Sequence, residues 1–428
     1  MLFCELKEDD FELNNEFKKA GIIYKELRTK NRGCRCKNCG TYTEKVKEYR
    51  LKKIVHSMYT NEECVILFHQ RRFICPNCHK TQMEDNPFRS DNNRLSDKTI
   101  FDILTTLKRY NVPFRQAAEM YHVTPREVMK IFDKYASQER NKLSPVICLD
   151  EIYFSRHRKK KYVLVIINFH NRAIIDILKD RDKTTLSSYF RKISFEEKNI
   201  VEYVGVDMND TYRDIANIYF KNATLVADSF HVIKHVSKAL NDARLRVLRR
   251  YENDKRSDEY YMLKYRDELL FVEDISSNEY KEIKRNHHFH YDLSDERLLE
   301  MMLKIDPELK KAYELYHEYI RFNNTDYDDT VKTLNDLNEI INDYKLSDIK
   351  EFIDVANTLN NWKAEIVNSF IKFNGQRVSN GPIEGRNSLI KKILKIANGY
   401  SNFKRFRNRV IYCLNKYATH SFKKKFDS

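Results

Sequence analysis

The chain has 428 residues, enough for two or three domains, and its 78 Lys and Arg against 63 Asp and Glu give a formal net charge of +15. That excess favours a polyanionic partner, nucleic acid or an anionic membrane surface on charge alone, and no membrane partner is expected for want of an amphipathic basic stretch with aromatic anchors. No run approaching 20 residues is continuously apolar, and the acidic start MLFCELKEDDFELNNEF carries no signal-peptide pattern, so a spanning helix and export are not expected. A soluble intracellular protein is expected, in which the nine cysteines serve metal binding or burial rather than disulfides.

Residues 1–30 form an N-terminal segment with no assigned element. Over 31–90, Cys34, Cys36 and Cys39 in GCRCKNCG precede Cys75 and Cys78 in RRFICPNCHK. Two Cys-x-x-Cys pairs, 36/39 and 75/78, supply four thiolates for one tetrahedral zinc ion, and the β-rich runs YRLKKIVHS and CVILFHQRRFI between them would bring the two knuckles together. The reading is a zinc ribbon, with Cys34 or His79 as possible substitutes for one ligand. Cys4, Cys64, Cys148 and Cys413 have no partner spacing and read as core residues. Over 91–140, Ser96 caps a helix with Ile100, Ile103, Leu104 and Leu107 at helical spacing; a second helix runs from about Pro113 to Tyr121, and Thr124–Pro125 opens a third with Val128, Ile131 and Phe132 inward. Short helix, turn and capped helix make a helix-turn-helix DNA-binding domain, with Arg126, Lys130 and Lys134 on or beside the DNA face. An ordinary three-helix packing unit with solvated charges is the plainer alternative.

From about residue 141 to 240 the texture becomes strand-rich: VICLDEIYF, KYVLVIINF and AIIDILKD, a helix TTLSSYFRKIS, a strand IVEYVGVDM, a helix DTYRDIANIYF, a fifth strand ATLVADSFHV and a long helix from Lys234. This is the element order of the ribonuclease H fold, and short connections make the first three strands antiparallel. In that topology the centre of the first strand and the end of the fourth lie side by side, which places Asp150 beside Asp207. Paired carboxylates suit hard divalent cations; two Mg²⁺ (or Mn²⁺) roughly 4 Å apart would serve phosphodiester chemistry. Glu384, in the first turn of a helix opened by Pro382, is the candidate third acid, with Arg386, Lys391 and Lys392 facing phosphates. Asp207 and Glu384 could instead act as helix caps, and Glu151 reads as an outward-facing neighbour.

The succession CKNCG…RRFICPNC, helix-turn-helix, CLDEIYF, VGVDMNDTY, VADSFHVIKHVSKAL and SNGPIEGRNSLIKKILKIANGYSNFKRFRNRV resembles the insertion-sequence transposases of the ISL-three group. The resemblance covers nearly the whole chain and implies an α+β multidomain protein: zinc ribbon, helix-turn-helix, and a ribonuclease-H-like catalytic domain interrupted over 241–365 by a helical insertion and resumed over 366–428 with a basic C-terminus. It implies a DDE transposase that binds terminal inverted repeats of double-stranded DNA, hydrolyses a phosphodiester and joins the freed 3′-OH to target DNA. It also implies a homo-oligomer in the bacterial cytoplasm, associated with the nucleoid. Asp228 and His231 match an accessory Asp-x-x-His motif of the related Mutator-like transposases. Strand order favours Asp207 over Asp228 as the second acid, and Ser229 stands where the family often has Arg. The basic last helix, FKRFRNRV, would contact phosphates. Two other readings stay open: a DNA-binding regulator with an inactive body, and a nuclease that cuts without joining.

Overall fold

A computed structural model describes residues 8–30, 32–57, 62–90, 93–154 and 159–421; Cys4 lies outside them. Contacts divide the chain into two units, Met1–Arg140 with Ser388–Ser428, and Asn141–Asn387.

The first unit opens with β1 (Phe11–Lys19) and β2 (Ile22–Thr29), a hairpin inside the segment left unassigned from sequence. Its two-residue turn puts Ala20 and Gly21 at φ 51° and 81°, the left-handed pair that matches strand twist. Two short strands, β3 (Cys34–Arg35) and β4 (Tyr42–Thr43), pair with each other. β5 (Val46–Val55), β6 (Cys64–Ile74) and β7 (Thr81–Met83) complete a sheet of order β1-β2-β6-β5, with β7 on β6. Antiparallel pairing of Val46 with Phe73 carries the two cysteine knuckles to the same end of that sheet.

Three helices follow: α1 (Asp97–Leu107), α2 (Phe114–Met120) and α3 (Pro125–Tyr135). Ser96 caps α1 as expected, and Thr124 with Glu127 forms a reciprocal capping box on α3. Ile100, Ile103, Leu104, Leu107, Val128 and Phe132 are fully buried in one cluster, which also takes Tyr412 from the C-terminal helix Phe403–Leu414. Residues from Ser388 onward therefore cluster with residues 1–140, which include the three helices.

That clustering changes the reading of the basic helix. Arg405 pairs with Asp133 at 2.6 Å, Arg407 donates to the Gln138 carbonyl at 2.7 Å, and Arg409 is 1% exposed, donating to the carbonyls of Arg109 and Val112. Within FKRFRNRV only Lys404 is exposed, so these arginines serve packing rather than phosphate contact. Arg409→Ala would leave the buried Val112 carbonyl without this donor, leave the Arg109 carbonyl only the Val112 N–H, and open a cavity. The first unfolding transition in urea is expected to lose about 2–4 kcal/mol; an unchanged midpoint would contradict the packing role.

The second unit is built on β8 (Val146–Tyr153), β9 (Tyr162–Asn168), β10 (Ile174–Leu178), β11 (Tyr203–Val206) and β12 (Thr224–Ala227), in the order β10-β9-β8-β11-β12. β8, β9 and β10 are antiparallel, whereas β8, β11 and β12 run parallel. The helices between them are α4 (Lys183–Phe190), α5 (Phe195–Asn199) and α6 (Asp210–Tyr219). The long helix α7 (Ser229–Leu248) starts directly after Asp228, several residues earlier than the β-like run SFHV suggests.

Beyond α7 lie α8 (Asp258–Tyr265), α9 (Asn278–Lys281), α10 (Asp295–Leu303), α11 (Pro307–Asn324), α12 (Thr330–Lys345), α13 (Lys350–Asn361) and α14 (Lys363–Asn368). Among the described residues none of these helices is long and apolar enough to cross a membrane. They do not form a separate core: Leu149, Ile166 and Val204 of the sheet, Val236 and Leu240 of α7, and Leu315, Ile341 and Leu359 of the later helices belong to one buried cluster. A short hairpin leads to α15 (Gly381–Ile396), whose first turn contains Glu384.

Candidate metal centres and the family of the chain

Strand register sets the first site. β11 pairs with β8 so that Gly205 faces Cys148, and with β12 so that Val206 faces Ala227. Continued by one or two residues, the same registers put Asp150, in the middle of β8, level with Asp207 and Asp228, which directly follow β11 and β12. Asp150 is buried, Asp207 half-buried and Asp228 only 2% exposed.

The carboxylates of Asp150 and Asp207 and the imidazole of His231 offer ligand atoms that all lie within 4.8 Å of one another. His231 reaches this position from the first turn of α7. Its Nδ1–H donates to Asp228 Oδ2 at 2.8 Å, and the other Asp228 oxygen accepts from the Asn380 backbone N–H at 3.1 Å. A carboxylate on one ring nitrogen fixes the orientation of an imidazole and leaves the opposite nitrogen available as a ligand. Asp228 thus acts on the group through His231.

Asp150 Oδ1 accepts from the Glu151 N–H and Oδ2 from the Asn387 side-chain amide, both at 2.7 Å. Glu384, half-buried three residues before Asn387, does not belong to the close group. Glu151 is not the outward neighbour expected: its carboxylate is held by Arg181 and by the Tyr212 hydroxyl at 2.8 Å. Arg386 donates to the Arg172 carbonyl at 2.6 Å and is half-buried, while Lys391 and Lys392 are exposed.

Burial raises Asp150 to about 6 and Asp207 to about 7, with neighbouring carboxylates adding to the effect, while the bond from Asp228 raises His231. Asp207 Oδ1 is also buried without a hydrogen-bond partner. Two desolvated acids beside an imidazole fit a divalent cation, which would remove the repulsion between them. The unfolded chain releases these protons near pH 4, whereas the folded chain retains them to about pH 6–7. The folded state therefore binds more protons across that window, and the stability of the metal-free protein falls as pH rises through it. Asp207→Asn is expected to lessen the fall and to melt a few degrees above the wild type at pH 8 in chelator; a lower melting point would contradict this.

The second site lies in the first unit. The sulfurs of Cys36, Cys39, Cys75 and Cys78 are mutually within 4.8 Å, with Cys36–Cys78 at 3.6 Å and Cys39–Cys75 at 3.5 Å. The two knuckles are built alike. The N–H of Gly40 returns to the Cys36 carbonyl and that of His79 to the Cys75 carbonyl, each from a residue of positive φ. Backbone N–H groups of Asn38 and Cys39 lower Cys36 and the Thr41 hydroxyl helps bring Cys39 to about 6, whereas burial and the neighbouring sulfurs push Cys78 up to about 11, so thiolate is favoured on the first knuckle. The geometry selects the two Cys-x-x-Cys pairs over Cys34, whose sulfur accepts from Gln82 at 2.9 Å, and over His79. Four clustered cysteines of this kind are compatible with zinc. Cys64 and Cys148 are buried, and Cys413 is half-buried.

On α3, Arg126, Lys130 and Lys134 are exposed; Lys134 also lies over the Tyr135 ring.

Two curated relatives resemble the chain. It is 21% identical to the transposase for insertion sequence element IS1001 of Bordetella parapertussis, over 55% of this chain and 59% of that protein. It is 28% identical to the transposase for IS1557 of Mycobacterium tuberculosis, over 30% of this chain and 26% of that protein. The chain thus spans about three-fifths or less of these relatives. The family model of ISL-three DDE type, described as "Transposase", matches residues 147–410, more than half of the chain and all of the carboxylate site. The chain belongs to the ISL-three family of transposases.

Proposed function

We propose that the protein is a DNA transposase whose ribonuclease-H-like second unit cuts and joins DNA with divalent metal held by Asp150, Asp207 and Glu384. The observation that carries this reading is the convergence of Asp150 from β8, Asp207 from the end of the adjacent parallel β11 and His231 from the first turn of α7. The strand order 3-2-1-4-5, with the first three antiparallel, supports the ribonuclease-H-like assignment. Glu384 is retained as the third acid because it stands one turn before Asn387, which bonds Asp150. When bound, a pair of Mg²⁺ or Mn²⁺ ions would activate the attacking oxygen and stabilise the leaving one.

The chain's own groups prepare the site. Asp150 and Asp207 hold charge in a partly dry setting, Asp228 sets the ring of His231, and Asn387 fixes the plane of Asp150. Zinc on Cys36, Cys39, Cys75 and Cys78 would hold the ribbon. Arg126, Lys130 and Lys134 of α3 would contact the terminal inverted repeats, and Lys391 and Lys392 phosphates; the half-buried Arg386 is a weaker contact. Such binding would be strongly salt-dependent. Two or more copies would pair the ends, as transposition chemistry on two termini requires.

The test uses DNA carrying the element's ends, a target duplex and Mg²⁺ or Mn²⁺. The expected products are a freed 3′-OH at the terminus and strands joined to target. Sequence-specific binding with no cleavage in any metal would favour a regulator instead. Cleavage without joining would favour a nuclease.

A further inference from the structure

Four buried polar atoms without hydrogen-bond partners gather around the carboxylate site: Asp207 Oδ1, both amide atoms of Asn380, and Asn387 Oδ1. Buried polar atoms are nearly always satisfied, so a concentration of exceptions marks a place prepared for another polar species. Asn380 and Asn387 are 0% and 4% exposed. The segment that bears them is tied to β8 and to Asp228 three times. The Ser379 carbonyl accepts from the Cys148 thiol, the Asn380 N–H donates to Asp228, and the Asn387 amide donates to Asp150. A methyl group on Gly205 would stand 3.1 Å from Asn380 Oδ1, so the strand comes close to this segment there.

Resting on the transposase reading, we propose that Asn387 is a positioning residue for the metal centre. Its Nδ2 holds Asp150 Oδ2, and its buried Oδ1 remains to accept a hydrogen bond from water carried by a bound cation. The chemistry favours an amide over an acid at this place. A carboxylate could not donate to Asp150 and would add a third negative charge to two acids that already repel each other. An amide donates on one side, accepts on the other and carries no charge. With the Glu151 N–H on its other oxygen, Asp150 is fixed in plane. Groups that orient a ligand in this way typically change metal affinity about 10–100-fold when removed.

The experiment is Mn²⁺ binding to the zinc-loaded full chain without DNA, followed by the free-ion electron paramagnetic resonance signal. Asn387→Leu, similar in size and without an amide, is expected to weaken Mn²⁺ about 10–100-fold, with circular dichroism unchanged. A purely structural asparagine would alter the melting point and leave Mn²⁺ affinity within twofold of wild type, which would overturn the proposal. Should Asn387→Leu not fold, Asn387→Ser decides on the same readout, with a loss of about tenfold expected and wild-type affinity overturning. If the wild type binds no Mn²⁺, or binds it equally well with Asp150→Ala, the metal-site reading fails and the proposal with it. Normal wild-type binding that is indifferent to Asn387 overturns the proposal alone.

Discussion

Asp207→Ala is expected to lower Mn²⁺-dependent DNA cleavage at least about a thousandfold, and Asp150→Ala equally. Loss of a ligand removes several kcal/mol of charge stabilisation at the reacting phosphate, and about 4 kcal/mol corresponds to a factor of a thousand. Asp228→Ala should cost less, about 10–100-fold, because Asp228 acts through His231. The contrast is informative because all three aspartates stand at one level on neighbouring strands, so it tests directly the preference for Asp207 over Asp228 that strand order gives. The measurement is single-turnover cleavage of DNA bearing the element's ends, with binding checked separately. A dead Asp228→Ala beside an active Asp207→Ala would reverse the assignment.

The second large effect concerns the cysteine cluster. The strand pairing of β5 with β6 delivers both knuckles to one end of the sheet, where the four sulfurs stand against one another. With zinc, four thiolates make that end a folded site; without it they repel or protonate. Cys75→Ser is therefore expected to abolish stoichiometric zinc, which should be about one per chain in the wild type by elemental analysis. It should also weaken DNA binding at least about tenfold and expose residues of the 32–90 region to protease, while Asn141–Asn387 stays resistant. Wild-type DNA affinity in a zinc-free Cys75→Ser protein would show that the cluster is dispensable.

Much of this arrangement was legible because it rests on short-range rules. Cys-x-x-Cys pairs, the Ser96 and Thr124 caps, and alternating apolar runs with an acid at a strand end each declare themselves within about ten residues. What was not legible depended on long-range packing. The Asp-x-x-His spacing showed that Asp228 and His231 could meet on α7, but not that the ring joins Asp150 and Asp207. Asn387 went unnoticed although it lies three residues after Glu384 on the same helix; the i, i+3 relation was its only signal. Arg405, Arg407 and Arg409 read as a DNA face because their charge is visible and their carbonyl and carboxylate partners, hundreds of positions away, are not. The hairpin of β1 and β2 escaped notice because FELNNEFKK is almost wholly exposed and its apolar alternation, Phe11, Leu13 and Phe17, is broken by the polar Asn15.

The most direct test of the metal-site assignment is anomalous diffraction from crystals of the full chain soaked in Mn²⁺. The expected result is a peak within coordinating distance of the Asp150 and Asp207 oxygens, with His231 beside it and Asn387 still on Asp150. A peak that avoids Asp207, or none at this site at saturating Mn²⁺, would contradict the proposed metal centre.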